Sequence, residues 1–137
     1  MKVIVDTNVV LDVLLERKPF AGPAAKIFGL AEKSEVSGML CAATITTIDY
    51  LLNQSLPKED ARQILWKLLS LFEVAAVNRL VIERALHSRI PDFEDAVLEE
   101  AGRLAEAEFI ITGNAKHFRH SSLRVLDATE FLSQMEA

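Results

Sequence analysis

The sequence predicts an α/β sandwich in which helices flank a mainly parallel sheet of four or five strands. Two observations lead to this class. Short apolar or β-branched runs alternate along the chain with longer segments whose apolar residues recur every three or four positions, and strands joined through helices of this kind pair in parallel. The chain has 137 residues, of which 50% are hydrophobic, so we expect one domain, residues 1–137, with one sizeable core.

The first half of the chain carries two strand signals, each followed by helical spacing. The opening run Val3-Ile4-Val5 is typical of a buried strand, and from Val9 the apolar positions repeat as on a helix. Proline and glycine residues at 19–23 separate this helix from the next. The predicted order is a strand at 2–5, helices from Val9 and at 24–33, a strand at 37–42, a helix at 44–52 and a helix opened by Pro57.

The second half repeats the alternation and ends on a helix. Ile90-Pro91 breaks one helical stripe, and the next stripe follows from Asp92. Phe109-Ile-Ile-Thr is then an apolar run bounded by polar residues, as expected of a strand. The predicted order is a strand at 73–77, helices at 80–87 and 92–106, a strand at 109–112, a helical turn at 116–118, a strand at 124–126 and a helix at 128–135.

Charge and cysteine content narrow the functional classes. The net charge is −5, which argues against nucleic-acid binding over the whole surface but leaves room for a local site supported by cations. Cys41 is the lone cysteine and is expected to be a small buried hydrophobe in a reducing compartment. We see no export signal and no run long enough to span a membrane, so we expect a cytoplasmic protein without membrane contact.

Polar side chains follow the predicted strands at the edge where open parallel sheets bind ligands. Asp6, Thr7 and Asn8 follow the first strand, and Thr112 and Asn114 close the fourth. A carboxylate held out of water normally pairs, becomes protonated or binds a metal. The oxygen donors around Asp6 include no cation, so a positive charge is expected from elsewhere.

Asp92 and Asp95 are three residues apart and project from one face of the predicted helix. The structural alternative is that Asp92 caps the helix and Asp95 lies in its first turn, where acidic residues complement the macrodipole. Asn114 could likewise cap the short turn at 115–118. Sequence leaves open at which edge of the sheet this helix begins. If these carboxylates converge with Asp6 they need a cation, and hard oxygen donors without a Cys or His cluster favour Mg²⁺ or Mn²⁺.

Three motifs together resemble the PIN-domain family of metal-dependent ribonucleases, which includes the toxins of VapBC-type toxin–antitoxin pairs. They are Val-Asp-Thr-Asn-Val-Val-Leu-Asp at 5–12, Pro-Asp-Phe-Glu-Asp-Ala at 91–96 and Ile-Ile-Thr-Gly-Asn-Ala-Lys-His-Phe at 110–118. The resemblance spans essentially the whole chain. It implies a parallel sheet flanked by helices, with acidic residues around one or two Mg²⁺ or Mn²⁺ ions that activate water for cleavage of an RNA phosphodiester.

The resemblance also implies roles for individual residues. Asp6 and Asp95 match family aspartates and would hold the metal. Asp92, an additional acid of a subgroup with the Asp-Phe-Glu-Asp pattern, would help directly or through water, as would Asn114. The supporting residues are Asn8, which matches the amide of the opening motif, and Thr7 or Thr112, which would orient ligands.

Other positions carry alternatives. The family usually has Glu in the helix after the second strand, where this chain has Thr47; Asp49 is about 200° further around that helix and replaces the Glu only if the local backbone differs. Asp12 is predicted either to orient Asn8 or a metal-bound water, or to be an exposed helix acid. Lys116 and His117 are candidate phosphate contacts, with solvated side chains as the alternative.

The sequence thus predicts a Mg²⁺- or Mn²⁺-dependent endoribonuclease, the toxin of a toxin–antitoxin pair. RNA is the expected substrate, and a small antitoxin and a second copy of the chain are the expected partners. The missing acid at Thr47 supports an alternative, a catalytically weak PIN-like module that binds RNA or protein. An aspartyl phosphatase ranks lower, because position 8 is Asn rather than Asp.

Overall fold

In the computed structural model, residues 1–136 form a five-stranded parallel sheet with helices on both faces, which confirms the predicted fold class. The elements, in chain order, are β1 (Lys2–Val5), α1 (Thr7–Leu14), α2 (Ala21–Glu32), β2 (Ser37–Cys41), α3 (Ala42–Leu52), α4 (Lys58–Leu71), β3 (Glu73–Ala75), α5 (Arg79–Leu86), α6 (Phe93–Leu104), β4 (Phe109–Ile111), a 3₁₀ turn (Ala115–Phe118), β5 (Arg124–Leu126) and α7 (Ala128–Glu136).

β1 lies in the middle of the sheet, whose strand order is β3-β2-β1-β4-β5. Ile4 of β1 pairs with Met39 of β2 on one side and Ile110 of β4 on the other. The chain therefore crosses over in one direction from β1 to β2 and in the opposite direction to reach β4. This reversal leaves a crevice at the carboxyl ends of β1 and β4, where ligands bind in sheets of this kind.

The core has two parts, one on each face of the sheet. Side chains alternate along a strand, so Val3 and Val5 of β1 face α1, α2, α3, α4 and α7, whereas Ile4 faces α5 and α6. All three side chains are fully buried. A β-branched run without polar alternation is thus explained by burial on both faces.

Gly102 brings α6 close to β1. A Cβ at this position would lie 3.0 Å from Cγ2 of Ile4, so a larger side chain would push the helix away from the strand. Only four residues separate the end of α6 from the start of β4. Since α6 finishes at the amino edge of the sheet, its first turn lies at the carboxyl edge, which answers the question that the sequence left open.

Two helices begin at other residues than predicted because of capping. α1 begins at Thr7 rather than Val9, since Asp6 caps it by accepting a hydrogen bond from the Thr7 N–H. α6 begins at Phe93 because Asp92 caps it, as the structural alternative predicted. β3 is shorter than predicted and ends at Ala75.

None of the helices within residues 1–136 is both long and apolar enough to cross a bilayer.

Candidate active site

Asp6 lies at the carboxyl end of β1 and is held by three hydrogen bonds. Its Oδ1 accepts from the backbone N–H of Thr7 at 2.8 Å, and its Oδ2 accepts from the Thr112 hydroxyl at 2.8 Å and from the side-chain amide of Asn8 at 3.2 Å. Burial raises the pKa of Asp6 above its usual value, although these hydrogen bonds and nearby His117 act in the opposite direction. The carboxylate is therefore fixed in position and costly to keep charged without a cation.

Asn8 and Thr112 join the end of β1 to the loop after β4. The side-chain oxygen of Asn8 accepts from the Gly113 N–H at 2.9 Å, and the hydroxyl oxygen of Thr112 accepts from the Asn114 N–H at 3.0 Å. Thr112 is fully buried. The Asp-Thr-Asn motif and the Thr-Gly-Asn motif are thus two halves of one hydrogen-bonded structure, in which Asn8 and Thr112 support Asp6.

Asp95 faces Asp6 from the first turn of α6. Its pKa is raised to about 6, first by burial and then by the negative charges of Asp6 and Asp92, while His117 lowers it. Nδ1 of His117 lies 3.6 Å from Oδ2 of Asp95. Asp95 therefore lies close enough to Asp6 and Asp92 for their charges to act on it, although Asp6 is distant from it in the sequence.

Asp92 has the capping role that was its structural alternative. Its Oδ1 accepts from the Asp95 N–H at 3.0 Å, which satisfies a backbone donor at the helix start. The side chain is exposed, and its charge still raises the pKa of Asp95. Asp92 therefore both orders the first turn of α6 and adds negative charge beside Asp95.

Glu94 is a further acid at this edge that sequence reasoning missed. Its Oε1 lies 3.4 Å from the hydroxyl oxygen of Thr47 on α3, and its charge contributes to the raised pKa values of Asp95 and Cys41. Thr47 is the position at which the resemblance to the PIN-domain family led us to expect a Glu. The signal was present in the Asp-Phe-Glu-Asp motif, whose middle acid, Glu94, lies opposite Thr47.

Asp49 does not join these carboxylates. It points to α4, where its Oδ1 lies 3.9 Å from Nε of Arg62, and its charge is not among those that shift the pKa of Asp6 or Asp95. Asp49 and Thr47 are about 200° apart around α3, and the backbone of this helix does not bring Asp49 to the face on which Thr47 lies.

Asp12 is buried rather than exposed, with 9% of its surface accessible. Its Oδ1 binds Nε of Arg17 at 2.9 Å, and the Arg17 guanidinium also donates to the Asn8 carbonyl at 3.0 Å. Asp12 thus acts on the backbone of Asn8 through Arg17.

The loop after β4 supplies the polar residues on the open side of the site. The Asn114 side chain does not cap the 3₁₀ turn; it is exposed and, with Asn8, lines the same cleft. Lys116 and His117 follow on this turn, both exposed to solvent. Of the two, His117 contacts the carboxylate group directly through Asp95.

The donor set fits a hard divalent cation that keeps much of its water. Within residues 1–136, no three His, Cys, Asp or Glu side chains are close enough to form a complete cage for a metal. Mg²⁺ is usually held by only one or two carboxylates, with waters and substrate phosphates as the other ligands. Asp6 and Asp95 provide two carboxylates whose charges oppose each other in a partly buried site, and a cation between them would relieve that repulsion.

Several solved structures share this fold at low sequence identity. FitAcB from Neisseria gonorrhoeae has a TM-score of 0.70 at 15% identity, covering 93% of this chain and 98% of that chain. VapBC-1 from nontypeable Haemophilus influenzae has a TM-score of 0.69 at 18% identity, covering 94% and 99%. VapC20 of Mycobacterium tuberculosis, described as a sarcin-ricin loop cleaving toxin, has a TM-score of 0.66 at 16% identity, covering 89% and 98%.

Sequence comparison gives the family. No curated protein matches the chain. The sequence profile of the PIN domain, however, matches residues 2–116, a stretch that runs from β1 into the 3₁₀ turn and includes Asp6, Asp95 and Asn114. The chain therefore belongs to the PIN-domain family.

Proposed function

We propose that this protein is a Mg²⁺- or Mn²⁺-dependent endoribonuclease and the toxin of a toxin–antitoxin pair. The observation that carries the proposal is the pairing of Asp6 with Asp95 at the carboxyl edge of the sheet, where burial, and then the charges of Asp6 and Asp92, raise the pKa of Asp95 to about 6. Carboxylates that repel each other in this way at the carboxyl edge of a parallel sheet are typical of a functional site. Asp6 and Asp95 are the proposed metal ligands.

When bound, Mg²⁺ or Mn²⁺ would lower the pKa of water to generate the nucleophile and offset the charge that builds up on the scissile phosphate. The chain's own residues prepare the site for this chemistry. Thr112, Asn8 and the Thr7 N–H hold Asp6 in one orientation. Glu94 adds negative charge beside Asp95, in place of the acid missing at Thr47.

Positive and amide groups on the loop after β4 are suited to the substrate. Lys116 and His117 lie on the 3₁₀ turn of this loop, and His117 contacts Asp95 there; both side chains would contact a phosphate of the RNA backbone. The Asn114 side chain, which is free of any capping bond, would hydrogen-bond a water or a phosphate oxygen. These roles make the loop the substrate-facing wall of the site.

A small antitoxin is the proposed protein partner. The fold resembles that of VapBC-1 and of VapC20, the latter described as a toxin. A basic side chain of an antitoxin would be attracted to the acidic site that Asp6 and Asp95 form, in competition with the metal. We also propose that the protein forms a homodimer and acts in the cytoplasm, where the single buried thiol of Cys41 would stay reduced.

Cleavage of RNA by the purified protein tests the function. We expect Mn²⁺-dependent cleavage that EDTA stops and that Asp6→Asn abolishes. The amide has no negative charge to balance the cation, and it has one acceptor oxygen where Asp6 uses two for its hydrogen bonds. Asp60→Asn is the matched control, since it makes the same chemical change at an exposed residue in the first turn of α4. Cleavage by Asp6→Asn at the rate of Asp60→Asn would refute the assignment.

The alternative is a catalytically weak module, which the absence of an acid at Thr47 favours. Mn²⁺ titration separates the two functions. A nuclease should bind Mn²⁺ at millimolar concentration or below and lose this binding in Asp6→Asn. RNA binding without detectable Mn²⁺ binding would favour the module.

A further inference from the structure

A groove of about 540 Å³ adjoins the carboxylates. The loop after β4 lines one side of it through Gly113 and Asn114, and the segment between α1 and α2 lines the other through Arg17, Lys18 and Phe20. Asn8 lies at the junction, because its side chain lines the groove and also donates to Asp6 Oδ2. The groove is therefore continuous with the candidate active site.

Phe20 presents an aromatic ring to this groove. It lies directly before α2 and is 60% exposed. Phe20 also lines a second, smaller cleft that includes Thr112 and Gly113, so the ring stands between two depressions at the edge of the site. An exposed ring in this position offers a flat face for a planar ligand.

The cations beside Phe20 differ in how they are held. Arg17 is fixed, since its guanidinium binds both Asp12 Oδ1 and the Asn8 carbonyl. Lys18 is exposed and forms no ion pair with any residue from 1 to 136. Lys18 is thus available to an anion from outside, and the charge of Arg17 is partly offset by Asp12.

We propose, resting on the ribonuclease function above, that this groove binds a nucleotide of single-stranded RNA next to the scissile phosphate. The base stacks on Phe20, Lys18 contacts a backbone phosphate, and Asn8 and Asn114 hydrogen-bond the base edge or the sugar. An aromatic platform with an adjoining cation is the usual way to bind single strands, whose bases are free to stack on protein. A duplex cannot offer an unpaired base to Phe20.

Two lysines near the groove favour binding of an RNA backbone. Lys18 lines the groove, and Lys116 follows the lining residue Asn114 by two positions on the 3₁₀ turn. Their positive charges would attract the backbone phosphates of the strand. The overall charge of −5 would otherwise repel RNA.

Binding of a labelled single-stranded oligouridylate, measured by fluorescence anisotropy in EDTA, tests the proposal without cleavage. The full chain with Asp6→Asn is the parent protein, which keeps binding apart from catalysis. Phe20→Ala should weaken binding by about 5- to 150-fold, the usual effect of losing one stacked base. Phe20→Leu should weaken it similarly, since it keeps apolar volume but no ring face, and Phe20→Trp should bind as well as the parent or better. Lys18→Ala should weaken binding and reduce its salt dependence.

Trp66→Ala is the matched control, because Trp66 is an aromatic residue on α4 with 75% exposure. We expect this variant to bind like the parent. Phe20→Ala should also melt like the parent, since the ring is exposed. Unchanged oligonucleotide affinity in Phe20→Ala would overturn the proposal and leave the groove to a protein partner; equal affinity for duplex and single-stranded RNA would overturn it as well. If the chain with Asp6 intact does not cleave RNA, that result counts instead against the proposed function. The comparison of oligonucleotide affinities between the Phe20 variants does not depend on cleavage.

Discussion

Asp95→Asn should stabilise the metal-free protein at neutral pH although it should abolish RNA cleavage. Burial and the charges of Asp6 and Asp92 raise the pKa of Asp95 from 3.8 to about 6. The folded chain therefore binds more protons than the unfolded chain between about pH 4 and pH 6, and linkage requires the free energy of unfolding to fall as pH rises through that window. Above it, the charged Asp95 destabilises the fold, and a neutral Asn removes that cost.

The size of the effect follows from the pKa. A difference of about 2 between the folded and unfolded pKa values corresponds to about 3 kcal/mol. The Asp95 side chain is 17% exposed, and the neighbouring Asp92 and Glu94 are exposed, so water and ions screen part of the repulsion. We therefore expect a gain of about 1 to 2 kcal/mol in the free energy of unfolding at about pH 8 and almost none at about pH 4.

Urea unfolding of wild type and Asp95→Asn in EDTA measures this gain at both pH values. Asp60→Asn serves again as the control and should show no comparable gain. Mn²⁺ should then stabilise the wild-type protein but not the variant, because only the wild type binds it in the folded state. A variant less stable than wild type at about pH 8, or a gain that is the same at both pH values, would show that repulsion at Asp95 is not the cause.

Two further substitutions test the support around the acids. Thr112→Val should lower the free energy of unfolding by about 1 to 3 kcal/mol, because it removes a buried donor to Asp6 and leaves the Asn114 N–H without its acceptor. Urea unfolding measures this loss. The control is Thr46→Val, the same change on the exposed face of α3, and equal stability of the two variants would contradict the prediction. Glu94→Gln should weaken Mn²⁺ binding by about tenfold, as loss of charge close to a metal site does. Calorimetric titration checks the change, and Thr47→Glu in the same background should recover part of the affinity if Glu94 supplies the missing acid.

The sheet was predictable because its central strands are apolar on both faces. Val3, Ile4 and Val5 are each fully buried, and a run of this kind has no polar alternation to confuse it with an exposed strand. The start of α1 was predicted two residues late because apolar spacing begins at Val9, whereas the helix begins where Asp6 caps it. Periodicity reports the buried face of a helix, and the cap decides its first residue.

Within the site, Asp6, Thr112 and Asn114 were predictable because the ends of parallel strands meet at one edge. Glu94 and Asp49 were not, since their positions depend on how α3 packs against α6 and α4. The rotation of a helix about its own axis brings Glu94 to Thr47 and turns Asp49 toward Arg62. Such rotations are set by tertiary contacts that spacing along the chain does not record.

The hydrogen bond between Asp6 and Thr112 joins residues separated by 106 positions. A chain emerging from the ribosome displays Asp6 well before Thr112, which follows 106 positions later with the loop after β4. Contacts over such separations form late, since a long loop must close first. The candidate site is therefore assembled late in folding, because Asp6 has no fixed geometry until β4 and the loop after it have packed beside β1.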